Sequence, residues 1–142
     1  MKERKVAVIY PLLHEHIERI FQGKDVFCKY VGKGNPGLKV GDKLLFYESR
    51  GQSRVVGEAT IGTIEFLTPE EVIAKYGDRL FITKEELDNY RKLRCRPLDK
   101  RLMVLSLYNT RRYKEPFRTS KPVTMAGQTL SKEEYKMMLS AG

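Results

Sequence analysis

Four side chains in the stretch FYESRGQSRVVGEATI (46–61) could do chemistry together. Tyr47, Ser49 and Arg50 sit where one β-prone run meets a polar turn, and Glu58 lies within the next run. An aromatic face can stack on a base, and a guanidinium can hold a phosphate. A hydroxyl or a carboxylate can hydrogen-bond a base edge. If the four share a cleft, Tyr47, Ser49 and Arg50 line its mouth and Glu58 hydrogen-bonds from its wall. The competing reading is plainer: Tyr47 and Ser49 pack, and Arg50 is solvated.

Spacing argues against several other chemistries. Cys28 and Cys95 make no disulfide framework, and with His14 and His16 they form no CxxC or HxxxH pattern. No metal site is therefore expected, and each thiol reads as a small buried group or an inert surface one. Gly32, Gly34 and Gly37 spell G-x-G-x-x-G, but LKVGDKLLFY follows them and reads as a strand. A dinucleotide loop needs a helix starting at its glycines, so no cofactor is expected there.

Charge is the most informative bulk property. Of the net +9, the whole excess falls between Arg91 and Lys121, where eleven basic residues face only Asp99 and Glu115. The rest of the chain balances 16 basic against 16 acidic residues. Such asymmetry favours a polyanionic partner, and nucleic acid is the commonest. The alternative is a solubilising face on a heat-adapted protein. Within the basic third, NTRRYKEPFR (109–118) mixes Arg111, Arg112, Lys114 and Arg118 with Tyr113 and Phe117. That combination suits phosphates and stacked bases, unless the aromatics turn inward from an exposed loop.

The elements that must position these groups can be read in outline. KVAVIYP (5–11), DVFCKYV (25–31), and residues 43–49, 54–67, 101–109 and 116–125 read as strands or extended runs, with a bend near Gly62. LLHEHIERIFQG carries Leu13, Ile17, Ile20 and Phe21 at helical spacing. Three further helices open on capping boxes: Thr68 with Glu71, Thr83 with Glu86, and Ser131 with Glu134. At 142 residues the chain is expected to form a single domain over 1–142. No apolar run approaches the roughly 20 residues of a membrane span, and no leader is evident, so a cytoplasmic protein is expected.

The order β-α-β-β-β-α-α-β-β-α, with IFQGKDVFCKY (20–30), VGDKLLFYES (40–49) and VVGEATIGTIEF (55–66), resembles the PUA-like superfamily. Within it the chain is most similar to ASCH domains and the related EVE and YTH domains. TKEELDNY (83–90) and VTMAGQTLSKEEY (123–135) resemble an uncharacterised archaeal family of that superfamily. The resemblance implies an α+β fold, a small mixed barrel flanked by helices, with a cleft that in relatives accepts RNA or a single, often modified, base. It implies cleft positions at Lys29, Tyr30, Tyr47 and Ser49.

The ASCH pattern G-x-K-x-x-E-x-R is not kept, since from Gly23 the matching residues are Asp25, Cys28 and Tyr30. Glu58 alone matches the acidic position of ASCH relatives that hydrolyse an acylated cytidine. The expectation is therefore an RNA-binding module, its partner a tRNA, an rRNA or a modified nucleoside. Expected contacts are Lys29, Tyr30, Tyr47, Ser49, Arg50, Arg111, Arg112, Lys114 and Arg118. A nucleoside amidohydrolase using Glu58, or a protein-interaction module presenting a sheet edge or Met137 and Met138, are the alternatives.

Overall fold

The computed structural model describes residues 5–31, 37–49, 53–119, 123–124 and 126–141. Six strands run β1 (Lys5–Leu13), β2 (Val26–Lys29), β3 (Lys43–Ser49), β4 (Arg54–Leu67), β5 (Leu102–Phe117) and β6 (Gln128–Ser131). Four helices accompany them: α1 (His14–Phe21), α2 (Pro69–Tyr76), α3 (Lys84–Leu93) and α4 (Lys132–Ala141). The strands form one mixed sheet in the order β2-β5-β4-β3-β1-β6. Among the described strands, β1 and β3 pair in parallel and the other pairs are antiparallel. The fold is α+β as expected, and the sheet keeps β2 and β6 as edges rather than closing into a barrel.

Alternation along the strands splits the core in two. Val8, Tyr10 and Leu12 of β1 join Ile17 and Ile20 of α1, Val72 of α2 and Leu87 of α3 on one face. Ala7 and Ile9 point the other way and join Leu45, Tyr47, Val55 and Phe117, with Tyr135 and Met138 of α4 packed against them. Period-2 side-chain direction makes this division inevitable for a sheet covered on both sides.

All three capping boxes form. Thr68 and Thr83 each accept from the N–H three residues on and receive the glutamate side chain in return. Ser131 and Glu134 exchange the same pair of bonds at the start of α4. No helix begins among residues 37–42; strand β3 starts at Lys43, as the glycine-rich run requires.

The C-terminal third differs from its expected layout. NTRRYKEPFR is not a loop between two strands: its residues 109–117 are the distal part of one 16-residue strand, β5. It is held by β4 through a ladder with three register shifts. Beyond it, residues 118–119 and 123–124 are not strand, and the sixth strand is Gln128–Ser131. Arg-Arg-Tyr-Lys-Glu-Pro is a poor strand sequence, so its 14-residue partner β4 decides the matter. Pro116 is tolerated because β2 pairs with Met103–Ser106, and among the described residues that end of β5 has no strand on its other side.

Candidate nucleic-acid interface

Irregularities in the β4–β5 ladder aim the charged side chains. Glu58 pairs with Arg111 and Thr60 with Tyr108, so Asn109 and Thr110 together face Ala59 in a bulge. Asn109 takes a left-handed φ of 50°, which asparagine accommodates better than most residues. One step on, Arg112 pairs with Gly57 and Phe117 with Val55, so residues 113–116 bow outward opposite Val56. At Gly57 a Cβ would stand 2.6 Å from the Arg111 carbonyl oxygen and 2.7 Å from the Phe21 ring. Only glycine admits that crossing.

Glu58 is the hub of this region, with 4% of its surface exposed. Its Oε1 accepts from Arg111 (3.2 Å), the Tyr113 hydroxyl (2.8 Å) and the Tyr135 hydroxyl (2.7 Å). Burial, and then the bond to Glu58, push both phenol pKa values well above their usual range, so the hydroxyls stay donors. One buried carboxyl group therefore ties β4, the bowed half of β5 and α4 together. Lys43 Nζ lies 3.9 Å from the other oxygen and donates to Thr60 Oγ1 at 2.7 Å.

Beside this hub, Arg111, Arg112, Tyr113, Lys114, Glu115, Phe117 and Leu139 line a cleft of about 470 Å³. Tyr113 and Phe117 stack with ring centres 5.6 Å apart, and the Arg111 guanidinium lies 5.6 Å from the Tyr113 ring. Arg112 pairs with Glu18 and covers the Phe21 ring at 4.2 Å. Lys114 and Arg118 are exposed, and neither has an acidic partner among the described residues. The basic arm is thus half neutralised: two arginines anchored, two cations open.

The other expected positions separate from this arm. Tyr47 is 5% exposed and packs in the second core, and Ser49 Oγ donates to the Leu12 carbonyl at 3.1 Å, joining β3 to β1. Arg50 lies outside the described residues. Tyr30 is 5% exposed within the first core, and its N–H donates to the Tyr90 hydroxyl at 3.0 Å. Lys29 ends β2, buried and over the Tyr10 ring at 5.2 Å. Burial, reinforced by the Arg94 charge, lowers its pKa to about 8. Tyr10, Tyr90, Lys43, Thr60 and Tyr135 were not singled out from the sequence, and Arg94 was counted only as part of the basic third. Tyr90 and Arg94, four apart at the end of α3 and its C-cap, carried a local signal.

Cys28 is buried among apolar side chains, and burial alone raises its thiol to about 12, which leaves it unreactive. No helix among the described residues is long and apolar enough to cross a membrane.

This architecture is similar to that of solved ASCH structures. The ASCH protein from Zymomonas mobilis superposes with a TM-score of 0.79 at 17% identity, covering 96% of each chain. The N-terminal domain of McrB from Staphylothermus marinus gives 0.59 at 15% identity, over 96% of this chain and 93% of that one. Within that fold the chain belongs to the family described as a domain of unknown function, DUF365, which it matches over residues 5–132. An uncharacterized protein of Methanocaldococcus jannaschii is 30% identical over 108 residues, covering 68% of this chain and 96% of that protein.

Proposed function

We propose that this protein is a nucleic-acid-binding module that holds a single-stranded segment of RNA in the cleft beside the distal half of β5. The observation that carries this reading is the cleft's composition: the half-buried Tyr113 ring, backed by Phe117 packed inward, is framed by Arg111, Arg112 and Lys114. Aromatic faces interleaved with cations are what a flexible polyanion with exposed bases requires. The open charges of Lys114 and Arg118 supply phosphate contacts. Arg111 and Arg112, held by Glu58 and Glu18, give the surface a fixed shape at no loss of accessibility, since their side chains remain 59% and 52% exposed. The PUA-like fold supports the same reading. Fluorescence anisotropy with labelled single-stranded RNA and DNA of matched sequence tests it. Saturable RNA binding that weakens with salt is expected; no binding at low ionic strength would refute it.

One observation favours a second, catalytic reading. Lys43 and Thr60 stand beside Glu58, so a lysine and a hydroxyl accompany the acid although sequence spacing gave no hint of them. Against turnover, Thr60 is buried, Oε1 of Glu58 already accepts three bonds, and 3.9 Å from Oε2 to Lys43 is too long for a proton relay. Binding is the reading the geometry favours.

A further inference from the structure

Helices α2 and α3 lie against each other over the first core, on the face of the sheet away from α4. Between them runs a groove of about 640 Å³ whose apolar lining includes Pro69, Ile73, Ala74 and Leu87. Leu98 borders the same groove and is 69% exposed. One surface thus carries an apolar hollow and, at its lip, an apolar side chain left in water. The charges there divide evenly. Arg91 and Lys92 both bind Asp88, and Arg91 also donates to the Arg96 carbonyl, so these groups satisfy one another. Six exposed side chains have no hydrogen-bond or ion-pair partner among the described residues: the acids Glu70, Glu85 and Asp99, and the bases Lys84, Lys100 and Arg101. Glu70, Lys84 and Glu85 line the groove, Asp99 and Lys100 follow Leu98, and the Arg101 charge acts on Glu71 in the first turn of α2.

An apolar hollow rimmed by charged groups is the anatomy of a protein interface rather than of a solvated face. The mixture of signs narrows the occupant. A nucleic-acid strand would meet three carboxylates, and a purely basic or purely acidic peptide would meet three charges like its own. A second copy of this chain supplies the matching set. Under a two-fold axis the same patch meets itself, so the exposed Leu98 of each copy can enter the hollow of the other while bases face acids in both directions. Elsewhere the chain's net charge of +9 opposes self-association, and the β5 arm would set its open cations against their own kind. The α2–α3 face escapes that repulsion because its uncommitted charges cancel.

We infer that the protein forms a two-fold dimer through the α2–α3 face, with Leu98 of each copy seated in the groove between α2 and α3 of the other. Leu139 of α4 borders the β5 cleft, and α4 packs on the opposite face of the sheet, so both clefts stay open in the dimer. The inference rests on the α2–α3 face alone and stands or falls independently of RNA binding at β5.

Sedimentation velocity of the whole chain over a concentration series tests this, with thermal unfolding of every variant in parallel. The wild type should pass from monomer to dimer as concentration rises. Leu98→Asp should weaken the dimer about tenfold or more, and because Leu98 is exposed the variant should remain folded. Two charge variants then ask whether the occupant is a second copy. Glu70→Lys/Glu85→Lys turns the face basic, and Lys84→Glu/Lys100→Glu turns it acidic. Each alone should associate about tenfold more weakly than the wild type or worse, whereas an equimolar mixture of the two should pair as heterodimers. Lys114→Ala/Arg118→Ala, altered only in the β5 arm, should dimerise at least as well as the wild type. A wild type that stays monomeric throughout would overturn the inference and leave the groove to a different protein. Full dimer affinity in Leu98→Asp, or a mixture that associates no better than its components, would overturn it as well.

Discussion

The Nζ of Lys29 lies 5.2 Å from the centre of the Tyr10 ring, and among the described residues that ring face, not a carboxylate, is what meets its charge. A cation–π contact recovers only part of what an ammonium loses on leaving water. The consequence is measurable as a stability penalty.

Replacing Lys29 with Met should therefore stabilise the protein at neutral pH. The folded-state pKa of about 8 against 10.5 corresponds to at most about 3 kcal/mol. Between those values the unfolded chain binds the proton and the folded chain does not, so wild-type stability rises with pH across that window. The advantage of Lys29→Met should be full below pH 8 and gone near 10.5. Urea denaturation of both proteins at pH 7 and pH 10.5 checks this, and a less stable Lys29→Met at pH 7 would count against a buried, uncompensated charge.

Gly57→Ala should be costly although its backbone is unstrained. The added methyl meets a main-chain oxygen at 2.6 Å and the Phe21 ring at 2.7 Å, and the oxygen cannot move without shifting β5. A loss of about 1–3 kcal/mol is expected. Gly62→Ala, whose nearest contact is the Tyr108 side chain at 3.2 Å, should cost clearly less in the same denaturation series.

Glu58 should behave as a structural hub. Glu58→Ala leaves the Tyr113 and Tyr135 hydroxyls without their acceptor and should cost about 2–5 kcal/mol, whereas Glu58→Gln keeps an acceptor and should cost less. In a double-mutant cycle, Tyr135→Phe should lose stability in the wild type and little in the Glu58→Ala background. Additive losses would mean that the Tyr135–Glu58 bond contributes nothing.

Much of the architecture was legible in the sequence because its signals are local. The three capping boxes, the strand after the glycine-rich run and the bend near Gly62 each depend on a few neighbouring residues. The length of β5 was not legible, because it is dictated by β4 rather than by Arg-Arg-Tyr-Lys-Glu-Pro itself. The site suffered in the same way. Arg111 and Arg112 look like free cations in sequence, yet their acids lie 53 and 94 positions away. Tyr30 and Tyr47 carry the residue type of a stacking platform, and only the pairing of β3 with β1 and β4, and of Tyr30 with Tyr90, shows that both are packed inside.

The binding of single-stranded RNA across a salt series, for wild type and the Lys114→Ala/Arg118→Ala variant, bears most directly on the proposed role. Each phosphate contact contributes about 0.7 to the slope of log K against log salt for a single strand. The double variant removes the two open cations of the arm while leaving the Glu58 and Glu18 pairs intact. Its slope should be shallower by about 1.4, with weaker affinity at low salt and unchanged thermal stability. A folded double variant with the affinity and slope of the wild type would contradict the assignment of the β5 cleft as the nucleic-acid interface.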